Sequence, residues 1–380
     1  MKILHLSYHT SPFTKQLGSN DAGGLNVYIK NVIENFDDED IYVSVLTGEK
    51  SEALEEKNFK FSSFSLFDET SSIDEKILLL PEFIELVTEF VKVNQIDLIH
   101  AHYWLSGLVA KEIKSKFGIP YIFTAHSYGR FIDEDSKRIV SEYEILSNAD
   151  LITSSSKFEY NFLNQNYETP EQKLRILYPG VDVDLFKPKT NNIKDNTLLV
   201  VGRIQPQKGQ INTLKLFQKL HLLFPDLKLY FIGGPSGKDG KEYLQTIERE
   251  IEQAGLKDKV QFLNSASQEQ LINEYNKAKI VVHASQYETF GLVVLESNSC
   301  GVPVVSINQG PLKETIINGQ NGFVAETFED EDLVLFCKNI LSDNDYQSQT
   351  HLNCLKIAKQ YEWKNTVKQL KEIYQELKFS

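Results

Sequence analysis

Cysteine is scarce in this sequence: Cys300, Cys337 and Cys354 are the only three in 380 residues. None forms a C-x-x-C pair, which excludes zinc ribbons and thioredoxin-like redox motifs, and an odd, sparse count suits a reducing cytoplasm. Glycine and proline, at 20 and 11, are too few for a fibrous or low-complexity chain. Positive charge is short as well, with 40 Lys and Arg against 53 Asp and Glu, a net charge of −13. That balance speaks against sequence-independent nucleic-acid binding and against broad adsorption to anionic lipid. No window approaches 18 uncharged apolar residues, so no transmembrane segment is expected, and peripheral membrane contact stays open. The apolar stretch in Met1–His9 is far too short for the core of a signal peptide.

What is present is an ordinary globular composition, 41% hydrophobic and 24% charged, which a disordered chain would not have. Short apolar runs alternate with amphipathic ones. Ile3–Ser7, Ile41–Thr47, Asp97–Ala101, Tyr121–Thr124, Asp150–Thr153 and Leu174–Tyr178 read as strands. Leu25–Phe36 has helix spacing, and so does Asp74–Val93, with Pro81 as a kink or break. The grammar restarts at Thr197. Leu198–Val201, Lys228–Gly233, Val260–Leu263, Lys279–His283 and Val304–Ser306 are strands, with helices at Gln210–Leu223 and Lys241–Ala254. Such alternation predicts α/β architecture: two doubly wound, Rossmann-like domains facing across a cleft. The polar, turn-rich stretch Lys187–Asp195 marks the joint. The expected division is 1–186, 187–362 and a last helix, 363–380. From Asp330 onward the chain reads as almost all helix.

Open parallel sheets bind ligands at the carboxyl ends of their strands, so chemistry is sought in the loops that follow strands. After the first strand comes Gly18–Tyr28, where Gly23 and Gly24 precede a helix. A Gly-Gly pair there lets backbone approach a phosphate at the helix N-terminus; a plain loop with glycines is the alternative. No G-K-[ST] follows, and no G-x-G-x-x-G sits against the strand, which demotes a P-loop enzyme and an NAD dehydrogenase. In the second half, Arg203 and Lys208 are five apart on a turn that opens a helix. They suit a diphosphate, or are two solvated charges. Glu288 follows a strand, and Glu296 lies eight residues later in the next helix, which starts around Phe290, Gly291 and Leu292. A carboxylate can accept two hydrogen bonds from a vicinal diol; two exposed acids with a helix cap are the plain alternative.

His126 ends a strand at the expected cleft and could bond a substrate or move a proton. His100 and His102 share one face of a strand, but no carboxylate or cysteine cluster accompanies them, and no metal site is expected. The pairs in Asp182–Asp184 and Asp133–Asp135 read as turn and surface residues.

In order along residues 21–296 stand GGLNVY, HAHYWLSG, TAHSYG, YPGVDVDLF, VGRIQPQKG, GGPSG and ETFGLVVLE. Together these motifs resemble the retaining, nucleotide-sugar-dependent glycosyltransferases of family four, with the GT-B architecture. Within the family the chain is most similar to the inositol-phosphate transferases of mycothiol synthesis, while the HSYG string and Arg138–Glu142 lean toward sucrose-phosphate synthases. The resemblance implies that Glu288 contacts hydroxyls of the transferred sugar and Glu296 the ribose diol. Phe290, Gly291 and Leu292 would present amides to sugar and phosphate, and Arg203 and Lys208 would hold the diphosphate, approached by Gly23 and Gly24. His126 would bond the sugar's C6 hydroxyl or lie near the reacting carbon. The base would sit near Gly234 and the Asn264–Ala266 backbone, including Ser265. Asn26, Tyr103, Ser127 and Arg138 fall at acceptor-contacting positions. A lysine expected four residues before Pro81 is replaced by Ile77, with Lys76 one place off, which puts a phosphorylated acceptor in doubt.

The expected reaction is hexosyl transfer from a nucleotide sugar, UDP-linked by resemblance, to a hydroxyl of a small-molecule or lipid-linked acceptor, with retained configuration. No cofactor or metal is expected, because the two cations and the helix-start amides meet the charge that develops on the leaving diphosphate. No dedicated general base is assigned. Homodimerisation stays open. A nucleotide-sugar 2-epimerase and a non-catalytic nucleotide-sugar-binding protein are the competing readings.

Overall fold

The computed structural model describes residues 1–13, 23–37, 40–131, 136–189, 194–237, 239–264, 266–307 and 310–378. The chain divides into two units: one runs from its start to Pro179 and adds Trp363–Ser380, and the other contains Gly180–Glu362.

In the first unit the strands are β1 (Lys2–Leu6), β2 (Tyr42–Glu49), β3 (Leu54–Glu55), β4 (Phe59–Phe67), β5 (Leu98–His102), β6 (Tyr121–Thr124), β7 (Leu151–Ser154) and β8 (Leu174–Ile176). They form one sheet in the order β3-β4-β2-β1-β5-β6-β7-β8. All pairs are parallel except β3 with β4. Central strands such as β5 are buried along their whole length, as a sheet covered on both faces requires. The β3–β4 hairpin edge escaped the sequence reading. FKFSSFSLF alternates bulky and small residues at a partly exposed edge, and so lacks the continuous apolar run that marks the inner strands.

The helix Ile73–Asn94 starts at a capping box in which the Ser72 amide donates to Glu75 Oε2 at 2.7 Å and the Glu75 amide to Ser72 Oγ at 3.3 Å. Pro81 does not end it. The bond lost is the one to the carbonyl of Ile77, on the exposed side of the helix, and the helix continues past it.

Helix Trp363–Lys378 closes the first unit. Its apolar stripe of Trp363, Val367, Leu370 and Tyr374 is buried. The Tyr374 ring stacks on Phe36 at 5.9 Å, and Thr366 Oγ1 donates to Tyr178 O at 2.8 Å.

The second unit has a fully parallel sheet of β9 (Thr197–Val201), β10 (Lys228–Ile232), β11 (Val260–Phe262), β12 (Ile280–His283), β13 (Val304–Ile307) and β14 (Gly322–Ala325), ordered β11-β10-β9-β12-β13-β14. Residues 180–186, expected in the first domain, belong here instead. The Val181 amide donates to Tyr361 O at 2.7 Å, Phe186 is buried, and Ser299 Oγ donates to Phe186 O. Those apolar anchors outweigh the polarity of the stretch that follows them. Asp182 Oδ1 accepts from the amides of Asp184 and Leu185 at 3.0 and 2.9 Å, which is turn chemistry, as expected. Asp133–Asp135 lie outside the described residues.

Restoring the amide at position 81 should help the helix more than the lost proline rigidity hurts. Pro81→Ala is expected to stabilise the protein by about 1–2 kcal/mol; urea denaturation that shows a lower midpoint would refute this.

Candidate active site

The first sheet reverses strand order between β1 and β5, and the second between β9 and β12. Ligands of open parallel sheets bind at such switch points, beyond the strand carboxyl ends. Gly23 and Tyr103 follow the strands of the first reversal, and Arg203, Lys208 and Glu288 those of the second; His126 and Gly234 follow the strands next to them.

In the second unit, the loops after β9 and β12 are tied together. The Gln286 amide donates to Gln207 O at 2.7 Å. Lys208 Nζ donates to Glu288 Oε1 at 2.7 Å, with both side chains largely shielded. The approach is close enough to demand glycine at 209, where φ is +64° and a Cβ would sit 2.2 Å from Ala284 O. His283, the last residue of β12, puts Nε2 3.3 Å from the same Glu288 oxygen. Burial alone would raise the Glu288 pKa, but the Lys208 charge and His283 overcome it and hold the carboxyl well below its usual range. Glu288 is therefore a fixed carboxylate.

Glu296 behaves in the opposite way. Burial pushes its pKa up from 4.5 to about 7, only partly offset by the Tyr275 hydroxyl, which donates to Oε2 at 2.8 Å. Between the two acids, Gly291 caps the helix Leu292–Ser299 with φ +91°, and a side chain there would strike Leu312 at 2.7 Å. Phe290 is buried, and the helix that begins at Leu292 carries, like any helix start, first-turn amides without an i−4 partner inside the helix; that of Val294 donates to Gly291 O at 3.0 Å. Arg203 follows β9 and is half-buried. The Ile204 amide donates to Gly234 O at 2.9 Å, which places the β10 loop beside Arg203. Ser265 lies outside the described residues.

In the first unit, Gly23 and Gly24 open the helix Gly24–Glu34; Gly18–Ala22 lie outside the described residues. A Cβ on Gly23 would meet no atom of the described residues within 4 Å, so packing among them does not call for glycine there. The Asn26 amide group is fully used. Its Oδ1 accepts from the Gly23 amide at 3.0 Å, and its Nδ2 donates to Thr10 Oγ1 at 2.8 Å and Ser11 O at 2.6 Å. It pins the loop after β1 to the helix start.

Tyr103, Ser127 and Arg138 come together. The Arg138 guanidinium lies 5.0 Å over the Tyr103 ring. It donates to Ser127 Oγ at 2.9 Å and Ser127 O at 3.1 Å, and Nε donates to buried Glu142 at 2.8 Å. Tyr103 stacks on His9 at 4.1 Å. Tyr103 and His126 follow β5 and β6, and both hold positive φ, +71° and +62°. Such backbone costs of the order of 1–3 kcal/mol and is kept where function or packing over-determines it.

Sequence reasoning missed His283 and Tyr275, and set Lys76 aside as one place off. Lys76 is fully buried, its ammonium 5.3 Å from the Phe67 ring centre. It influences buried Glu49, whose pKa is raised by burial and drawn back by Lys76 and by bonds from Ser11 and Thr10. Its signal was readable: Lys76, Leu80, Phe83, Val87 and Val91 form one helical stripe, so the lysine faces the core while Ile77 faces solvent. His283 carried the same post-strand signal as His126. Tyr275 had none, since its partner Glu296 is 21 residues away.

His5, His100 and His102 are fully buried side by side, with ring nitrogens within 4.8 Å of one another. His5 and His100 are register partners across the switch point, which makes the cluster a product of strand pairing.

Two Rossmann-like units built on largely parallel sheets, the second carrying a cation and carboxylate loop pair at its switch point, are the GT-B architecture of a glycosyltransferase. Residues 182–374 match the family described as Glycosyl transferases group 1, and residues 22–185 match Glycosyltransferase Family 4; the chain belongs to this glycosyltransferase family. It is 30% identical over 413 residues to D-inositol 3-phosphate glycosyltransferase of Corynebacterium urealyticum, covering 99% of this chain and 96% of the relative. The Corynebacterium jeikeium counterpart is 29% identical, over 99% and 97% of the two chains. Among solved structures, a sucrose-phosphate synthase from Thermosynechococcus elongatus superposes with a TM-score of 0.88 at 25% identity, covering 99% and 98%. Anabaena HepE, solved with UDP and glucose, shares the fold with a TM-score of 0.80 at 19% identity, covering 99% of both chains. Among the described residues no helix is long and apolar enough to cross a membrane.

Between pH 4.5 and about 7 the folded state keeps a proton on Glu296 that the unfolded chain has lost. Stability therefore falls as pH rises through this window. Glu296→Gln, which keeps an acceptor for Tyr275, is expected to change Tm little at pH 4.5. At pH 8 it should raise stability by about 1–3 kcal/mol. An equal Tm change at both pH values would show that the carboxyl is not held protonated.

Proposed function

We propose that this glycosyltransferase moves a hexosyl group from a UDP-linked sugar to a hydroxyl of a phosphorylated sugar or polyol, with retention at the anomeric carbon. The observation that carries the reading is the Lys208–Glu288 pair at 2.7 Å, which joins the loops after β9 and β12 beside the amides that open the helix Leu292–Ser299.

That arrangement suits departure of a nucleoside diphosphate. Negative charge grows on the β-phosphate as the glycosidic bond breaks. Arg203, Lys208 and the helix-start amides are fixed donors for it, and preorganised donors stabilise such charge without reorganising at the moment of reaction. Lys208 has three N–H bonds and spends one on Glu288, leaving donors for the phosphate. Glu288, held ionised, accepts from hydroxyls of the transferred sugar. Glu296 accepts from the ribose diol, and that bonding favours its charged form against burial. Gly234, in the loop after β10, is read as lining the base. His126 bonds a hydroxyl of the transferred sugar. The leaving phosphate itself takes the acceptor's proton, so no separate base is required. UDP as carrier follows from the family resemblance, and the sugar is read as a hexose on the same ground.

Two cations support a phosphorylated acceptor. Arg138 sits with Tyr103 and Ser127, and Lys76 takes the place of the lysine expected at Ile77. The sequence-related enzymes named for D-inositol 3-phosphate point the same way.

Arg203→Ala and Lys208→Ala are each expected to lower kcat by roughly 10²–10³. Lys76→Met is expected to raise KM for a phosphorylated acceptor at least tenfold, the worth of about 1.4 kcal/mol, and to leave KM for the donor unchanged. Assays with UDP-glucose, UDP-N-acetylglucosamine and GDP-mannose against inositol and hexose phosphates, with product configuration read by proton NMR, test the whole reading. An inverted anomeric centre, or epimerised donor in the absence of any acceptor, would overturn it.

A further inference from the structure

One hydrogen-bonded chain of side chains runs through the first unit from β7 to His126. Thr153 Oγ1 meets Thr124 Oγ1. Thr124 Oγ1 lies 2.7 Å from His100 Nε2, and His100 Nδ1 lies 2.7 Å from the Tyr374 hydroxyl. That hydroxyl lies 3.0 Å from His5 Nε2. His5 Nδ1 is 3.0 Å from His102 Nε2, and His102 Nδ1 is 3.1 Å from His126 Nε2. Every member but His126 is buried, and burial lowers the pKa of all four imidazoles, to about 3 for His5 and His126. The rings are therefore neutral, and each has one donor and one acceptor nitrogen.

This makes the protons of the chain interdependent. Tyr374 owns one hydroxyl proton, so it donates to one histidine and accepts from the other. Each neutral ring then passes the same direction to the next. A hydroxyl oxygen could instead accept from both neighbours, but its own proton would then be left without a partner in the chain; the two arrangements that run in one direction throughout differ at the ends. If the chain ran from His126 toward Thr153, the Thr153 hydroxyl would have to donate onward. It has no other hydrogen-bond partner among the described residues, and leaving a buried donor unpaired is costly. Run the other way, Thr153 donates to Thr124, Thr124 to His100, His100 to Tyr374, Tyr374 to His5, His5 to His102, and His102 to His126. No buried donor is then stranded.

We propose that Tyr374, His5 and His102 are positioning residues that lock His126 in the Nδ1–H tautomer, so that it meets the transferred sugar as a hydrogen-bond donor and not as a base. The His126 backbone, at φ +62°, and the Tyr28 ring packed edge-on at 5.1 Å hold the imidazole in place. The functional half of this proposal rests on the reading that His126 faces the transferred sugar; the tautomer half does not. The same geometry disfavours a metal at His5, His100 and His102, because all six of their ring nitrogens are already engaged in the chain.

Long-range proton–nitrogen NMR of the full chain, labelled at histidine, reads which ring nitrogen is protonated and needs no substrate. The expected result is a single tautomer with Nδ1–H at His5, His102 and His126. A proton on Nε2 of His126 in the unsubstituted protein would overturn the proposal, and so would stoichiometric zinc held on bare nitrogens of His5, His100 and His102. Tyr374→Phe removes only the hydroxyl that couples His100 to His5. With an unchanged circular dichroism spectrum, it is expected to convert His5, His102 and His126 into tautomer mixtures; an unmoved His126 would refute the coupling. In the transfer assay the same variant should lose roughly tenfold in kcat, the worth of one hydrogen bond, with KM for the acceptor unchanged. Unaltered kcat alongside mixed tautomers would overturn the positioning role. Failure of the unsubstituted chain to transfer any sugar would count against the earlier reading alone, since the spectra decide the tautomer by themselves.

Discussion

A parallel strand can be followed only by a crossover, and each crossover here leaves its strand at the carboxyl end. Both sheets are built by that constraint, apart from the β3–β4 edge. In each, strand order reverses once, at β1/β5 and at β9/β12. Neighbouring crossovers diverge at a reversal, so the loops there are not covered by a helix between them. The candidate groups of the second unit and the histidine cluster of the first are consequences of where those two reversals fall.

Around the second reversal, charge is managed by pairing and burial. Glu288 is shielded but stays ionised, because Lys208 and His283 face it. Glu296 is met by the neutral Tyr275 hydroxyl, and burial carries its pKa to about 7. Two identical side chains eight residues apart are thus given different chemistry by their neighbours: one is held ionised, the other holds its proton toward neutral pH. Burial of a carboxyl without a cation costs stability, and groups perturbed in this way cluster at functional sites.

The first unit shows how a distant segment can enter a site. Helix Trp363–Lys378 returns to the first sheet after the whole second unit has been made, and its Tyr374 hydroxyl sits between His100 and His5. The apolar stripe of the helix supplies the docking energy, and one polar atom on that stripe completes a buried network. A half-satisfied network in a low-dielectric core is costly, so the helix, β1 and β5 are tied to a common arrangement.

Much of this was legible from residues alone. Strand–helix alternation specified two α/β units because a period of two and a period of 3.6 leave different apolar patterns. Post-strand position singled out Arg203, Lys208, Glu288 and His126 before any coordinates. Lys76 was also within reach, on a stripe shared with Leu80 and Phe83. The short strands β3 and β14 were not, for a few residues at an edge carry no resolvable period. Nor was the unit boundary, where Val181 and Phe186 bury against partners more than a hundred residues away in sequence. Sequence determined the residue types, their local periods and the loops that hold them, because those depend on neighbours along the chain. Tertiary structure alone decided that Lys208 meets Glu288, that Tyr275 meets Glu296 and that Tyr374 links His5 to His100. Such pairs depend on strand order and helix docking, which bring together side chains up to 369 residues apart.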